Sequence, residues 1–404
     1  MFFENRVLKT LERIRSRVVV PLRIQLWNGQ KFDFCSEPNV VVTIPDSAAL
    51  RYFIAPSLDS LGRAFVEGHI RVEGSARNVF HVAQALARSV TARLPSALHW
   101  ARQHSRDRDR QAVQYHYDVS NDFYALFLDA NMVYSCAYFG QPDDTLEAAQ
   151  NRKLDHILTK LRLAPGEKFL DIGCGWGALV LRAAQKYGAV ATGITLSKNQ
   201  FEAASRQINQ AGLAGQCRVL LCDYRDLNEV GAYDKIASVG MFEHVGLKNL
   251  PLYFGAVHRL LKDDGLVLNH GITTSDVQSR WIGMGAGEFI DRYVFPQGEL
   301  PHVSLALKEM AGAGLEVLDV ESLRRHYART CDAWSDKLEV NRSAAETLVG
   351  ERHYRIWQIY LAGCAYGFAN SWMNLYQVLC SKADNMTLSQ QPLTRDYMYA
   401  SRVS

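Results

Sequence analysis

The chain has 404 residues, a formal net charge of +3 at pH 7, 48% apolar residues and 22% charged residues. This length suits two or three domains, and the composition is that of a globular protein, which excludes wholesale disorder and collagen-like repeats. The small positive charge gives no reason to expect a nucleic-acid partner. Eight cysteines without a CxxC pair exclude a disulfide scaffold and argue against structural zinc, so we expect reduced thiols in the cytosol.

The first part of the chain predicts a small domain over residues 1–100. A basic helical stretch, Arg6–Arg17, comes first, and Phe65–Gly74 has the alternating apolar residues of a strand. The other predicted elements are strands over Val18–Leu26, Lys31–Cys35 and Asn39–Ile44, and helices over Ser47–Ile54 and Val79–Ser89. Residues 101–112 are highly charged and indicate a solvated linker or an exposed helix start, and residues 113–404 are predicted to form the second domain.

Two segments bear on the membrane question. The N-terminus has no long apolar region followed by a small-residue cleavage site, so we expect no signal peptide. The stretch Ile356–Ser381 carries no charge. It contains Gly363, Asn370 and Gln377 among other small or polar residues, and we predict a buried helix followed by a strand rather than a membrane span.

From Val113 onward, strand and helix patterns alternate, which predicts a mostly parallel, doubly wound α/β sheet. The predicted strands are Lys168–Ile172, Val190–Ile194, Arg218–Cys222, Lys235–Val239, Leu266–His270 and Glu316–Val320, with Leu375–Leu379 as a late edge strand. The predicted helices between them are Ala178–Tyr187, Lys198–Ala211, Leu250–Leu261 and Val303–Ala313. Two helix-rich stretches, Tyr115–Arg162 and Ser275–Leu300, are expected to form a cap over the strand ends.

A glycine loop follows the first of these strands. Gly173, Gly175 and Gly177 permit a tight turn and a close approach of the backbone to a ligand. The GxGxxA spacing also fits a dinucleotide site, but an NAD site usually has an acid at the end of the second strand, and Gly193–Ser197 has none. With Asp171 before it, the loop reads DxGxGxG, which resembles motif I of S-adenosylmethionine (SAM) methyltransferases.

Polar residues after the second and third strands extend this predicted cofactor site. In place of an acid, Thr195, Ser197 or Gln200 can take the hydrogen-bonding role, and Asp223 and Tyr224 are placed to meet an adenine. The predicted cofactor-binding residues are Tyr134, Ser135, Asp171, Gly173, Gly175, Gly177, Thr195, Leu196, Ser197, Gln200, Asp223 and Tyr224.

Four further clusters lie near predicted strand ends, at residues 134–139, 240–246, 269–272 and 326–330. A single carboxylate or histidine is usually structural, but four polar groups that converge on one crevice predict a site. Together with the glycine loop, these clusters resemble the cyclopropane-fatty-acyl-phospholipid synthase family, which includes the mycolic acid cyclopropane synthases. The segments that carry the resemblance are Tyr134–Phe139, Leu170–Gly177, Gly193–Gln200 and Met241–Gly246, with His270, Tyr327 and the domain-opening sequence Gln114–Tyr124.

The resemblance covers about residues 113–382 and implies a Rossmann-like class I SAM methyltransferase domain with a helical cap, beside a smaller α+β N-terminal domain. It implies transfer of a methylene group from SAM to a cis double bond of an unsaturated phospholipid acyl chain. It also implies a bound bicarbonate ion as the base, held by Cys136, Glu243, His270, the backbone of Ile272 and Tyr327. Such N–H, imidazole and phenol groups can donate to a small anion.

Methyl transfer to an alkene leaves a carbocation, which aromatic faces stabilise. The candidates for this role are Tyr134, Tyr138, Phe139, Trp281 and Tyr293, and Tyr293 also competes with Tyr327 for a place at the anion. Cys364 matches a cysteine that has been considered as a nucleophile in the family. The reaction needs no acyl-enzyme, and an apolar helix favours a core residue there, so Cys364 is a weak site candidate.

The N-terminal domain is predicted to contact lipid, because Val42–Gly68 and Phe65–Gly74 resemble sterol-carrier-like lipid-binding folds. The residues Arg6, Lys9, Arg13, Arg15, Arg17 and Arg23 either favour an anionic leaflet or form a solvated helix face. We therefore expect a cytoplasmic protein in peripheral contact with the inner face of the membrane. The resemblance also allows a homodimer, although the sequence itself shows no interface.

Two alternatives stay open. A related SAM-dependent C-methyltransferase would add a methyl branch at the same double bond, with the same glycine loop and alkene chemistry but another fate for the carbocation. A lipid-binding or assembly protein with an inactive methyltransferase fold would need a damaged glycine loop or anion site, and this sequence has both intact.

Overall fold

Two β-sheets with separate apolar cores organise the chain. The computed structural model describes residues 2–53, 58–89, 120–279, 286–295, 298–382 and 391–399. A four-stranded sheet lies in the N-terminal part, and a seven-stranded sheet lies in the remainder. The predicted linker, residues 101–112, lies outside the described residues.

The N-terminal sheet has the strand order β2-β1-β3-β4. Its strands are β1 (Leu22–Leu26), β2 (Lys31–Asp33), β3 (Val40–Ile44) and β4 (Arg71–Glu73). The helices of this part are α1 (Phe2–Arg15), α2 (Leu58–Val66) and α3 (Ala76–Ser89), with a 3₁₀ helix over Ser47–Phe53. Alternate residues of β1 are buried, so one face of the sheet packs on a core of its own.

The prediction of a strand over Phe65–Gly74 is wrong for most of that range. Helix α2 continues through Val66, because Leu58, Leu61 and Phe65 recur at helical spacing and face one apolar cavity. Only the short strand β4 remains of the predicted element.

The larger sheet has the order β10-β11-β9-β8-β5-β6-β7. Its strands are β5 (Lys168–Ile172), β6 (Val190–Thr195), β7 (Cys217–Leu221), β8 (Tyr233–Val239), β9 (Leu261–Thr274), β10 (Leu315–Ser322) and β11 (Met373–Lys382). Strands β9, β8, β5, β6 and β7 run parallel, and β11 is antiparallel to both of its neighbours. The predicted α/β class with a mostly parallel sheet is therefore confirmed.

Strand β11 is not at the edge of the sheet, contrary to the prediction for Leu375–Leu379. It lies between β10 and β9, and its second half is buried throughout. A largely apolar strand that is covered on both faces belongs in the interior of a sheet. Strand β10 takes the edge instead.

The helices of this part flank the sheet or cover its strand ends. They are α4 (Asn121–Ala125), α5 (Leu146–Lys160), α6 (Ala178–Tyr187), α7 (Lys198–Gln210), α8 (Leu250–Leu260), α9 (Ala286–Tyr293), α10 (Val303–Gly312), α11 (Arg324–Val340), α12 (Arg342–Ala369) and α13 (Asp396–Tyr399). Short 3₁₀ turns span Tyr224–Asp226, Phe242–His244 and Leu247–Asn249. The stretch Ile356–Ser381 is the buried end of α12 followed by β11, as predicted. Within the described ranges, no helix is both long and apolar enough to cross a membrane.

The cap over the strand ends contains part of the predicted stretches together with later helices. Helix α5 packs on a face of the sheet, where Leu154 and Ile157 join the core around Phe169. The apolar cluster above the strand ends joins α4 and the first turn of α5 to α11 and α12. Residues 115–119 and 280–285 of the predicted cap lie outside the part of the chain that is described.

A buried charged cluster fixes α5 against the edge strand β10. Lys160 is fully buried, and its Nζ lies 2.5 Å from Glu321 Oε2 and 3.3 Å from Asp319 Oδ2. His156 Nε2 lies 2.8 Å from the same glutamate oxygen. The neighbouring ammonium and imidazole hold the pKa of Glu321 down to about 2, although burial acts in the opposite direction.

The variant Lys160→Met should lower the free energy of unfolding by about 3–5 kcal/mol, because it leaves buried carboxylates without their ammonium partner. Urea denaturation followed by circular dichroism measures this loss. Lys198→Met is the matched control, since the Lys198 side chain is 77% exposed. A loss in Lys160→Met no larger than in this control would contradict the stabilising role of the cluster.

Candidate functional site

The carboxyl ends of β5, β6 and β8 open on a cavity of about 150 Å³, which we call the glycine-loop cavity. Ten of the predicted cofactor-binding residues line it: Tyr134, Ser135, Asp171, Gly173, Gly175, Thr195, Leu196, Gln200, Asp223 and Tyr224. Parallel strands bring their carboxyl ends to one edge of the sheet, which is why residues so distant in sequence share one cavity.

Gly177 and Ser197 were predicted to bind the cofactor but are not among the lining residues. Gly177 has φ +90°, and a Cβ there would lie 2.9 Å from the Cβ of Ala204. Its role is thus to let α6 start close to α7. The Ser197 hydroxyl accepts a hydrogen bond from the Gln200 N–H (3.4 Å) and caps the start of α7.

Neutral hydrogen-bonding groups stand where a dinucleotide site would have an acid. Thr195 Oγ1 donates to Gln200 Oε1 (2.8 Å) and accepts from the Ser197 N–H (3.2 Å). These contacts orient Thr195 and Gln200 at the cavity. After the neighbouring strand β7, the carboxylate of Asp223 pairs with Arg225, a lining residue that the sequence reasoning missed.

A buried carboxylate and a buried ammonium form one polar end of the glycine-loop cavity. Asp171 and Lys153 are each 2% exposed. Asp171 Oδ1 has no hydrogen-bond partner, and burial raises the pKa of this carboxyl to about 7. Lys153 donates to Ser135 Oγ (2.8 Å), and burial lowers its pKa to about 8. An acid and an amine side by side suit a ligand with both an amino and a carboxylate group. Lys153 lies in α5 outside every motif, so no sequence signal pointed to it.

A second cavity, of about 100 Å³, shares Tyr134, Ser135, Gly240 and His244 with the first. We call it the aromatic cavity, because rings form much of its wall. The aromatic residues on that wall are Tyr134, Phe295, Tyr327, Trp334, Tyr360 and Phe368. Besides Ser135 and His244, the polar side chains of Glu243 and His270 also line it.

Glu243 lies in the 3₁₀ turn after β8, and its two carboxylate oxygens have different surroundings. Oε1 accepts a hydrogen bond of 2.6 Å from the backbone N–H of Ile272 on β9. Oε2 is buried without a hydrogen-bond partner. Burial raises the pKa of Glu243 to about 7, and the bond from Ile272 acts against that shift.

His270 lies on β9, is 1% exposed, and is held by an amide on the neighbouring strand. Gln377 Nε2 lies 3.2 Å from His270 Nδ1, and the register of β11 and β9 pairs these two residues. If the amide donates to Nδ1, the proton of the neutral ring sits on Nε2. Nε2 has no hydrogen-bond partner, and burial lowers the pKa of the ring well below its usual value. Sequence reasoning missed Gln377, because the strand register depends on a long-range pairing.

The arrangement of Glu243 and His270 fits a small protonated anion. A carboxylate oxygen and an imidazole N–H, both unpartnered, face one cavity and can accept from and donate to such an ion. Bicarbonate carries both a hydroxyl and acceptor oxygens, so the residues present fit the predicted ion. Tyr327 also lines the cavity and stacks on Phe368 with the ring centroids 4.5 Å apart.

Cys136 and the backbone of Ile272, which were also predicted to hold the ion, make other contacts in the structure. The Cys136 thiol is fully buried and not among the lining residues, since it donates to the carbonyl oxygens of Ala137 (3.2 Å) and Leu323 (3.8 Å). Burial raises the pKa of this thiol. Ile272 lines the cavity, but its N–H is engaged by Glu243, so its backbone orients the carboxylate instead.

Only one predicted aromatic residue reaches the aromatic cavity among those described. Tyr134 lies on its wall, but Tyr138, Phe139 and Tyr293 do not, and Trp281 lies outside the described residues. Tyr138 stacks on His326 at 4.7 Å, and the Tyr293 hydroxyl donates to Glu67 (3.1 Å). Tyr327 rather than Tyr293 therefore shares a cavity with His270.

Cys364, the weak site candidate, lies in α12 and lines the aromatic cavity. Burial raises the pKa of its thiol to about 12. The thiol is therefore protonated at neutral pH and is a poor nucleophile.

Two family models match separate parts of this chain. Residues 104–378 match the family model described as mycolic acid cyclopropane synthetase. Residues 9–93 match a separate model, which is described as a domain of unknown function.

Some curated relatives match nearly the whole chain, and others match about two thirds of it. A probable fatty acid methyltransferase of Pseudomonas putida is 46% identical over 94% of this chain and 96% of its own length. Tuberculostearic acid methyltransferase UfaA1 of Mycobacterium tuberculosis is 34% identical over 92% of this chain and 89% of its own. Cyclopropane mycolic acid synthase 1 of the same organism is 40% identical over 67% of this chain and 96% of its own.

Solved structures match the larger part of the chain. The cyclopropane synthase MmaA2 of Mycobacterium tuberculosis is 37% identical with a TM-score of 0.65, over 68% of this chain and 98% of that one. The mycolic acid cyclopropane synthase CmaA1, complexed with SAH and CTAB, is 39% identical with a TM-score of 0.64, and this match also covers 68% of this chain and 98% of that one. These matches confirm the methyltransferase fold.

The variant Glu243→Gln should be more stable than the wild type above pH 7. The raised pKa of Glu243 means that the folded protein favours the protonated acid, so ionisation destabilises the fold as the pH rises from about 4.5 to 7. The stability difference should grow across this window and level off near about 3 kcal/mol. Urea denaturation at several pH values measures it.

Glu202→Gln, an exposed change on α7, is the control for this pH series. Its stability difference from the wild type should stay flat across the same window. A flat profile for Glu243→Gln as well would contradict the burial of an ionisable Glu243.

Proposed function

Because the chain belongs to the mycolic acid cyclopropane synthetase family, and so is a SAM-dependent methyl- or methylene-transferase of lipid acyl chains, we propose that it makes cyclopropane rings. Its substrate would be a cis double bond in an unsaturated acyl chain of a phospholipid. The observation that carries the proposal is the pair of unpartnered polar atoms, Glu243 Oε2 and His270 Nε2, in an aromatic cavity next to the glycine-loop cavity.

The two cavities divide the reactants between them. SAM, when bound in the glycine-loop cavity, supplies an electrophilic methyl group on a sulfonium centre. The amino and carboxylate groups of its amino-acid part suit Asp171 and Lys153. The acyl chain lies in the aromatic cavity. Tyr134 and Ser135 line both this cavity and the glycine-loop cavity, so they lie between the two reactants.

The proposed reaction forms two carbon–carbon bonds. The methyl carbon bonds to one alkene carbon as its bond to sulfur breaks, which leaves a cation on the other alkene carbon. Loss of a proton from the new methyl group then lets its carbon bond to the cationic carbon and close the ring. The rings of Tyr134, Tyr327 and Tyr360 border the cavity, and an aromatic face stabilises a cation by about 0.5–2 kcal/mol when water is excluded.

The proton must leave inside an apolar cavity, and the chain's own side chains there are poor bases for it. The ring proton of His270 is on Nε2, Glu243 Oε1 is engaged by the Ile272 N–H, and Glu243 Oε2 is the acceptor for the hydroxyl of the bound anion. Bicarbonate held between these two groups would supply the proton acceptor. Gln377 fixes the His270 tautomer, and Ile272 fixes the Glu243 carboxylate, so both are positioning residues.

A phospholipid substrate requires contact with a membrane surface. Lys9, Arg13, Arg15 and Arg17 are exposed at and just after α1, whereas Arg23 is paired with Asp33 (2.6 Å). Each exposed basic residue near an anionic leaflet adds about 1 kcal/mol of attraction. We propose that α1 brings the enzyme to the cytoplasmic leaflet as a peripheral protein.

A second candidate function is methyl branching at the same double bond. Two relatives that match more than nine tenths of this chain are named a probable fatty acid methyltransferase and a tuberculostearic acid methyltransferase, whereas cyclopropane mycolic acid synthase 1 matches 67% of it. In this case the methylated chain would be reduced rather than closed to a ring, with a separate hydride donor as the reductant.

The variant Glu243→Gln tests the proposed anion site. It should bind SAM as the wild type does, and its rate of ring formation should fall by about 10²-fold or more, as expected when a proton-transfer site is lost. Calorimetry measures SAM binding, and mass spectrometry of fatty acids released from unsaturated phospholipid vesicles measures the rings.

The exposed change Glu202→Gln should leave both quantities unchanged. Full ring formation by Glu243→Gln would contradict the role of Glu243. Loss of SAM binding in that variant would show that the carboxylate supports the cofactor site instead.

A further inference from the structure

A third cavity, of about 190 Å³, lies between the N-terminal sheet and the catalytic part. We call it the interdomain cavity. Strands β1, β3 and β4 and helices α2 and α3 form one side, and helices α9 and α12 form the other. No charged side chain is among its lining residues in the described chain, and Gln358 is its most polar member.

The interdomain cavity adjoins the aromatic cavity. Four residues line both of them, namely Ile290, Tyr360, Cys364 and Met373. The glycine-loop cavity, the aromatic cavity and the interdomain cavity therefore follow one another, and each neighbouring pair shares a wall.

Contacts between the two parts of the chain fix the walls of the interdomain cavity. Glu339 Oε1 accepts from the Ala76 N–H (2.8 Å) at the start of α3, and Arg352 Nη2 lies 2.8 Å from Glu67 Oε1. On α12, a Cβ at Gly363 would lie 3.0 Å from the ring of Phe80. The two surfaces are thus in close contact around the cavity.

We propose that the interdomain cavity holds the methyl-terminal half of the substrate acyl chain. An empty apolar cavity forfeits packing contacts and destabilises the fold, whereas a hydrocarbon chain restores those contacts. The carboxyl end of the chain carries a polar ester, which this uncharged wall cannot hydrogen-bond well. The N-terminal domain thereby sets how many carbons beyond the double bond are accepted. This inference rests on the proposed function.

Neighbouring residues of β3 offer a matched pair of variants. Val42 lines the interdomain cavity, whereas Val41 is not among its lining residues and points to the opposite face of the strand. Both are partly buried. Val42→Phe fills space in the cavity, and Val41→Phe adds the same group on the other face.

The experiment compares methylene or methyl transfer to vesicles of dioleoyl and dimyristoleoyl phosphatidylglycerol. Their double bonds are equally far from the ester, but the oleoyl chain has more carbons beyond the double bond. Val42→Phe should lower the oleoyl-to-myristoleoyl rate ratio by about fourfold for each methylene that no longer fits. Val41→Phe should keep the wild-type ratio.

A second variant keeps the test informative if Val42→Phe unfolds. Leu61 of α2 also lines the cavity, and Leu61→Ala enlarges it. This variant should raise the relative rate for chains longer than oleoyl. Thermal unfolding and SAM titration establish that each variant is folded with its cofactor site intact.

The outcomes separate the inference from the proposed function. An unchanged ratio in folded Val42→Phe, or an equal fall in Val41→Phe, would overturn the interdomain site while leaving the proposed function in place. A wild type that binds SAM but transfers no carbon to either lipid would overturn the proposed function, and the inference with it.

Discussion

The alignment of parallel strand ends is the constraint on which the rest of the site depends. The register that pairs Ile172 with Ser238, and Val239 with His270, brings the ends of β5 and β8 level with the middle of β9. Asp171 lies on β5, Glu243 in the turn after β8 and His270 on β9, yet they reach two cavities with a common wall. A shift of one residue in the pairing of β5 or β9 would turn Asp171 or His270 to the opposite face of the sheet.

Burial then sets the chemistry of these side chains. Water is largely excluded, so Asp171 and Glu243 resist ionisation, and His270 resists protonation. Excluding water protects a carbocation on a hydrocarbon chain, because water would otherwise add to the cation. The same dryness leaves Glu243 Oε2 and His270 Nε2 unpartnered in the protein, which is a cost that a bound anion would remove.

Local patterns predicted what local forces determine. The glycine loop, the β5 strand before it and the α6 helix after it follow from residues adjacent in sequence, and the twelve predicted cofactor residues include ten that line one cavity. Features set by long-range pairing were missed. The interior position of β11, the contact of Gln377 with His270, and the turn of the Cys136 thiol toward Leu323 all depend on which distant segments meet. The role of Lys153 could not be predicted from its helix, because its hydrogen-bond partner Ser135 lies outside that helix.

The most direct test of the account is the fate of the transferred methyl hydrogens. Purified protein would be incubated with unsaturated phospholipid vesicles and SAM that carries a fully deuterated methyl group. The molecular masses of the released fatty acids would then be measured by mass spectrometry before and after mild hydrogenation. Proton removal and ring closure predict a product that resists hydrogenation and has lost one of the three deuterium atoms. A saturated, methyl-branched product that retains all three would contradict this prediction, because the anion site would then play no part in proton removal.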